Sequence, residues 1–307
     1  MKSYDAIVIG GGPAGMAAAL YLVRAGVKIL VVEKLAPGGQ MLLTEELENY
    51  PGFPGGIKGY ELADYMAEHV QQYPFDKIYD EVREIIPGKD SHEIVVDGVH
   101  FKARAIIIAT GVVFRKLKVP NEEKLLGRGV SYCALCDGNF YKNKVVAVVG
   151  GGNSALEESL YLARLVKKLY LIHRRDEFRG LKCYQDKCNA DPTIVPVLNS
   201  VVSRIVGDNE VVGIEVKDAL TNEYSVLDVD GVFIFVGFNP LSTFFPVELQ
   251  LDHSGFIKTT CEMETNIPGI YAAGDIRSKN CRQVVTAVGD GATAATAAFA
   301  YLEYNDA

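Results

Sequence analysis

Three observations predict an α/β fold of two Rossmann-like dinucleotide-binding domains, each of three-layer ββα type, the second inserted into a discontinuous first. A glycine signature follows a short apolar run at the N-terminus, a second signature of the same kind lies near the middle of the chain, and an apolar strand-to-turn segment stands on either side of that second signature. The length of 307 residues exceeds what one hydrophobic core fills, which favours two domains. Hydrophobic residues make up 49% of the chain, which argues against disorder. The net charge of -8 provides no broad phosphate-neutralising surface, so nucleic acid is not an expected partner.

The first element is a strand over 4–9, bounded by GGGPAG. A helix over 16–25 and a strand over 27–33 complete a βαβ unit. Gly10, Gly12 and Gly15 let the backbone turn tightly, approach a pyrophosphate without a Cβ in the way, and pack the helix close to the sheet. Pro13 suits the first helical turn. Glu33 ends the second strand about 20 residues after the glycines, where a carboxylate accepts hydrogen bonds from ribose hydroxyls. An ordinary glycine-rich turn would need neither the helix nor the acid, so this unit is expected to bind an adenine dinucleotide.

The pattern recurs with a strand over 145–149, the turn Gly150-x-Gly152-x-x-Ala155, a helix over 154–166 and a strand over 168–173. That strand runs into HRRDEFR, which sets Arg174, Arg175 and Arg179 where the first unit has Glu33. Guanidinium groups grip a 2′-phosphate bidentately, whereas an acid repels it, so this site is expected to prefer NADPH to NADH. The alternative is a solvated charged turn. A buried strand ending at Gly111 over 105–111, and a similar segment over 269–275 followed by a small-residue helix over 283–304, return the chain to the first sheet. The expected division is therefore 1–113 with 246–307 for the first domain and 114–245 for the inserted one, with crossings where KLKVPNEEK and GFNPLSTFFP break the pattern.

The pair Cys133 and Cys136 precedes the second glycine signature. Cys-x-x-Cys serves zinc sites and redox sites alike. Zinc needs four ligands, and Cys183, Cys188, Cys261 and Cys281 form no companion pair of ligand spacing. Six cysteines are too few for a disulfide scaffold, and the N-terminus runs into a strand without a signal-peptide pattern, so a reducing cytoplasm is expected. A dithiol that cycles remains. Asp137 stands next to the pair, either to pass a proton to a thiolate or, before Gly138, as turn chemistry. The apolar stretches over 16–23 and 285–302 are too short, or interrupted by Asp290, to span a membrane.

GGGPAG, GGQ at 38–40, ENYPGFP at 48–54, ATG at Thr110, CALCDG, GGGNSA, HRRDEFR, AAGD ending at Asp275 and RQV from Arg282 follow in an order that resembles the low-molecular-weight bacterial thioredoxin reductases, over nearly the whole chain. The resemblance implies FAD in the discontinuous domain, at Gly10, Gly12, Pro13, Ala14, Gly15, Glu33, Lys34, Gly39, Gln40, Asn49, Thr110, Gly111, Gly274, Asp275, Arg282, Gln283 and Val284. It implies NADPH in the inserted one, at Gly150, Gly152, Asn153, Ser154, His173, Arg174, Arg175 and Arg179. Electrons would then pass from NADPH to FAD, to the Cys133 and Cys136 disulfide and on to thioredoxin. Cys136 would be the flavin-proximal thiol, Cys133 the interchange thiol and Asp137 the proton donor. A homodimer is implied as well.

Because the dithiol and the NADPH signature share one domain, the inserted domain is expected to rotate on its two linkers. Rival readings are a reductase of another redoxin or of a small-molecule disulfide, and a non-catalytic flavin and nucleotide sensor. Two segments depart from the family pattern: GFNPLSTFFP near Pro240, and KCYQDKCNADP, whose Cys183 and Cys188 are expected to be packing or surface residues.

Overall fold

The first apolar run becomes β1 (Lys2–Ile9) in the computed structural model, which describes residues 2–44, 46–47, 49–241 and 243–304. Glu48 of the ENYPGFP motif and Ser242 of GFNPLSTFFP lie outside the described residues. By its internal contacts the chain divides into two units, Met1–Val113 with Asn239–Ala307, and Phe114–Phe238.

In the first unit β1 is flanked by β2 (Ile29–Glu33) and β3 (Asp76–Tyr79) on one side, all parallel. On the other side lies the ten-residue β6 (Val99–Ile108), also parallel to β1. Its first half pairs antiparallel with β5 (His92–Val96), which pairs antiparallel with β4 (Val82–Ile86). Its last residues, Ile106–Ile108, also pair in parallel with β17 (Ile270–Ala272), which brings the distant C-terminal segment into the same seven-stranded sheet. Ile7, Ile106, Ile107 and Ile108 have no exposed surface, as expected of strands covered on both faces.

One face of that sheet is covered by α1 (Pro13–Arg24), α2 (Gly59–Gln71) and α6 (Val284–Tyr304). Helix α1 opens with Pro13 directly after Gly12, whose extended backbone ends the turn. Small residues let α1 and α6 approach closely: a Cβ at Gly291 would lie 2.1 Å from the Ala14 carbonyl oxygen, and Ala294, Ala295 and Ala298 are buried nearby.

The second unit is the three-layer sandwich expected of it. A parallel sheet runs in the order β11 (Ile194–Val197), β10 (Lys168–Ile172), β9 (Val145–Gly150), β15 (Gly231–Phe235), β8 (Val130–Ser131). Packed in one apolar cluster with it are Ala134 of the short α3 (Ala134–Asp137), Leu156 and Leu162 of α4 (Asn153–Ala163), and Cys188 of α5 (Lys182–Ala190). Ile205 and Ile214, from an antiparallel layer of β12 (Ser200–Val206), β13 (Gly213–Asp218) and β14 (Tyr224–Asp228), meet Ala147, Val149 and Ile234 of the parallel sheet.

The connecting segments β7 (Val112–Phe114) and β16 (Phe238–Pro240) pair with each other. The second crossing thus falls between Phe238 and Asn239 and not at 245/246. Phe244 and Phe245 explain the difference, since both pack against the apolar cluster under β4 and β5, and the Phe244 carbonyl accepts the Ile85 N–H at 3.2 Å. On the other crossing, the Glu122 carboxylate, 2% exposed, accepts the N–H groups of Leu117 and Lys118 and the Tyr132 hydroxyl, and Tyr132 stacks on Phe114 at 4.8 Å. Tyr132 immediately precedes the cysteine pair.

The segment around Cys183 and Cys188 forms the nine-residue α5. Cys188 is fully buried and its thiol reaches the Leu156 carbonyl at 3.5 Å, while Cys183 is exposed. Burial raises the Cys188 thiol to about 11, so it serves packing and not thiolate chemistry.

Candidate active site

In the first unit the carboxyl ends of β1, β6 and β17 lie side by side, in the register Ile9 to Ile108 to Ala272. The chain turns sharply after each, and such an edge is where α/β sheets take ligands. Gly10 has φ +107° and a Cβ there would lie 2.4 Å from the Ala109 carbonyl oxygen, while a Cβ at Gly15 would come within 1.8 Å of the Gly10 oxygen. A Cβ at Gly12 would meet nothing nearer than Gly39 at 3.9 Å, which leaves room at the N-terminus of α1 for an anion. Glu33 bridges the turn, its Oε2 accepting the Gly11 N–H at 2.5 Å and its Oε1 the Leu35 N–H at 2.9 Å.

The remaining residues of this group fall into pairs. Asn49 donates to Gln283 at 3.1 Å, and the Gln40 amide donates to the Val112 carbonyl. Gly274 is held against Ala14, whose Cβ would be 2.8 Å from an added one. Lys34 points to Glu81 at 3.0 Å, and Arg282 lies 4.3 Å over the Phe256 ring with Nε 3.4 Å from the Asp275 carbonyl. Burial lowers the Arg282 guanidinium from its ordinary value. Ala14 and Val284 lie in the first turns of α1 and α6, and Gly111 follows Thr110 with φ +65°.

Two buried polar atoms in this group have no hydrogen-bond partner, Thr110 Oγ1 and Asp275 Oδ1. Burial raises the Asp275 carboxyl to about 6, against the pull of Lys279 and Arg282. A buried oxygen without a partner is costly unless something else satisfies it. Asp290, in the second turn of α6, supports this loop: its Oδ2 accepts from Gly274 N–H at 3.1 Å, Lys279 Nζ at 2.8 Å and Arg277 Nη1 at 2.9 Å, and the Arg277, Lys279 and Asp290 side chains are only 12 to 13% exposed. Asp290 is absent from the sequence-derived site; the signal available was an acid inside an otherwise apolar helix.

In the second unit, β9 ends at Gly150, where a Cβ would clash with Phe235 and Ala155, and Gly152 faces open space before α4. The HRRDEFR segment folds back on this turn: Arg179 and Gly180 N–H groups donate to the Gly151 carbonyl at 2.7 and 3.1 Å, and Phe178 is buried as the anchor. Asn153 Oδ1 accepts the Leu181 N–H at 2.7 Å, and Ser154 is exposed in the first turn of α4. Arg174, Arg175 and Arg179 are exposed, and none is in an ion pair among the described residues. His173 packs over Gly151, with Nε2 buried and unpartnered; burial first, then the three guanidiniums, holds its imidazole below the ordinary value.

Glu158 on α4 also escaped the sequence reading. Its Oε2 is buried without a partner, and burial, then the charge of Glu157, raises the carboxyl from 4.5 to about 7. The folded acid therefore holds its proton more tightly than the unfolded one, so its contribution turns unfavourable as pH rises from the ordinary carboxylate range through about 7. Glu158→Gln is expected to raise Tm by several degrees at pH 8 and to leave it nearly unchanged at pH 5. Calorimetry at both values checks this, and an equal shift at both, or none at pH 8, would contradict it.

Cys133 and Cys136 form a disulfide with Cα atoms 5.3 Å apart. Cys133 caps α3, its Sγ accepting the Cys136 N–H at 3.1 Å, an arrangement that favours negative charge on that sulfur. Cys136 is 9% exposed and Cys133 half-buried. Asp137 Oδ2 accepts the Ser131 hydroxyl at 2.6 Å.

The model of the pyridine nucleotide-disulphide oxidoreductase family matches residues 4–291. The chain belongs to this family. It is 47% identical to a thioredoxin reductase of Listeria monocytogenes serovar 1/2a, over 98% of this chain and 95% of that one, and 45% identical to a thioredoxin reductase of Bacillus subtilis (strain 168), over 98% and 96%. The crystal structure of thioredoxin reductase from Streptococcus pyogenes MGAS5005 matches with a TM-score of 0.93 at 42% identity, over 98% of this chain and 99% of that one. The chain is an NADPH-dependent oxidoreductase of this family, with FAD and NADPH as cofactors. The residues present fit both groups: glycine turns open at Gly12 and Gly152, and the buried oxygens of Thr110 and Asp275 and the buried His173 nitrogen lack partners. No helix among the described residues is long and apolar enough to cross a membrane.

Proposed function

We propose that the protein is a cytoplasmic, homodimeric thioredoxin-disulfide reductase in which Cys133 and Cys136 carry electrons to the partner disulfide. The observation that carries this reading is the disulfide itself, capped at the N-terminus of α3 beside Asp137, in the same unit as a nucleotide turn ringed by arginines. When bound, NADPH and FAD supply hydride and two-electron transfer.

The chain's own residues do the rest. Gly10, Gly12 and Gly15 open the α1 N-terminus to the FAD pyrophosphate, Glu33 receives the ribose, and Thr110, Asp275 and the α6 N-terminus receive the remainder. Gly150, Gly152, Asn153 and Ser154 seat the NADPH pyrophosphate, and His173, Arg174, Arg175 and Arg179 the 2′-phosphate. Asp137 takes the Cys133 proton, the resulting thiolate attacks one sulfur of the partner disulfide, and the displaced partner thiolate takes that proton back from Asp137. Cys136 then attacks Cys133 in the mixed disulfide, restoring the Cys133 to Cys136 bond and releasing the second partner thiolate. Two protons and two electrons leave the dithiol, one proton passing through Asp137 each time. The unit 114–238 carries both the dithiol and the NADPH turn, so rotation about the two connecting strands is part of this reading.

Anaerobic titration with NADPH should bleach the flavin and make Cys133 and Cys136 alkylatable together. Bleaching without the appearance of those thiols would end the reductase reading. Turnover with a panel of oxidised redoxins then tests thioredoxin as the partner.

A further inference from the structure

We infer that Ser131 is a positioning residue for the dithiol step, clasping Asp137 and the Cys133 backbone in one hydrogen-bonded turn. The inference rests on the proposed reductase reading and extends it to a residue outside the cysteine motif.

Ser131 is 3% exposed and ends β8, whose pairing with Phe233 of β15 fixes its backbone at the edge of the parallel sheet. From there its Oγ donates to Asp137 Oδ2 at 2.6 Å and accepts the Cys133 N–H at 3.0 Å. The Cys133 carbonyl, 3.2 Å from the same hydroxyl, accepts the Asp137 N–H at 3.2 Å. A hydroxyl has a single proton, and the carboxylate at the shorter distance is the better acceptor. The loop from β8 to α3 is thereby closed twice, once through backbone and once through Ser131.

The closure matters because the chemistry changes the pair. When the disulfide is reduced, the bond between the two sulfurs is gone and the four-residue turn loses its covalent tie. The Ser131 contacts involve neither sulfur, so they persist in the dithiol. They hold the Cys133 backbone and the Asp137 carboxyl at fixed separation while Cys133 attacks and the leaving thiolate takes its proton. Without the hydroxyl, Asp137 keeps its place in sequence but loses a donor that aims Oδ2, and a misplaced proton donor is costly in rate.

Ser131→Ala is expected to slow the interchange between the reduced enzyme and oxidised thioredoxin by roughly tenfold to a hundredfold in kcat, with KM for thioredoxin unchanged. Flavin reduction by NADPH, measured by stopped flow, should stay within about twofold of wild type. In combination with Asp137→Asn, Ser131→Ala should add no further loss. The pair Ser131→Thr and Ser131→Val, alike in shape, guards against a folding defect: the threonine should retain interchange and the valine should lose it. Wild-type interchange in Ser131→Ala, equal slowing of flavin reduction, additivity with Asp137→Asn, or equal rates for threonine and valine would each overturn the inference. Titration of the wild type separates the two claims: absent thiols there overturn the reductase reading and this inference with it, whereas normal wild-type thiols with an unaffected Ser131→Ala overturn only the role of Ser131.

Discussion

Replacing Cys136 with serine is expected to abolish turnover with a disulfide substrate, by roughly 10⁴-fold or more, while leaving NADPH reduction of the flavin intact. The two cysteines should fail differently. Cys136→Ser keeps Cys133, the more accessible sulfur and the one that accepts the Cys136 N–H, so it can attack a partner disulfide but cannot release the product. Once reduced by an external thiol it should accumulate as a mixed disulfide with thioredoxin, visible by non-reducing electrophoresis and mass spectrometry. Cys133→Ser leaves only Cys136, which is 9% exposed, and should trap little or nothing. Turnover by either variant, or equal trapping by both, would show that the sulfurs do not hold these separate posts.

The contrast between the two cysteines shows which parts of the site a sequence can display. Glycine turns were legible because their constraint is local: only glycine meets the 2.4 Å and 1.8 Å approaches at Gly10 and Gly15, so residue type and spacing carry the geometry. The βαβ order and the return of the C-terminal segment were legible from apolar runs, although α1 begins at Pro13, three residues before the first periodic residue used to place it. The second crossing falls inside the segment expected to hold it, but near its start, between Phe238 and Asn239, and not near its end. GFNPLSTFFP reads as a break because of its proline and asparagine, but its Phe244 and Phe245 pack against a core that includes β4 and β5, far away in sequence. Ser131 and Asp290 escaped for a similar reason. A serine before a cysteine pair has no signature, and Asp290 acquires meaning only when α6 folds back over Gly274, sixteen residues away.

Specificity for NADPH is expected to reside in Arg174 and Arg179, with losses of roughly tenfold to a hundredfold in kcat/KM for NADPH when either becomes alanine and little change with NADH. The physical basis lies in how the segment is built. Phe178 is buried and the Arg179 and Gly180 N–H groups bind the Gly151 carbonyl, so the loop is fixed to the glycine turn while its guanidiniums remain in solvent. No carboxylate among the described residues neutralises them, so their charge stays available to an incoming phosphate. His173 reports the same field, since the three guanidiniums add to burial in disfavouring its protonated form. A phosphate dianion placed there would relieve that field. The advantage of NADPH over NADH in wild type should therefore shrink as ionic strength rises, because exposed charges are screened within a Debye length of about 10 Å at 0.1 M salt. Steady-state rates with both nucleotides across a salt series measure it. Equal efficiency with NADH in wild type, or equal losses for both nucleotides in the arginine variants, would make HRRDEFR an ordinary solvated turn.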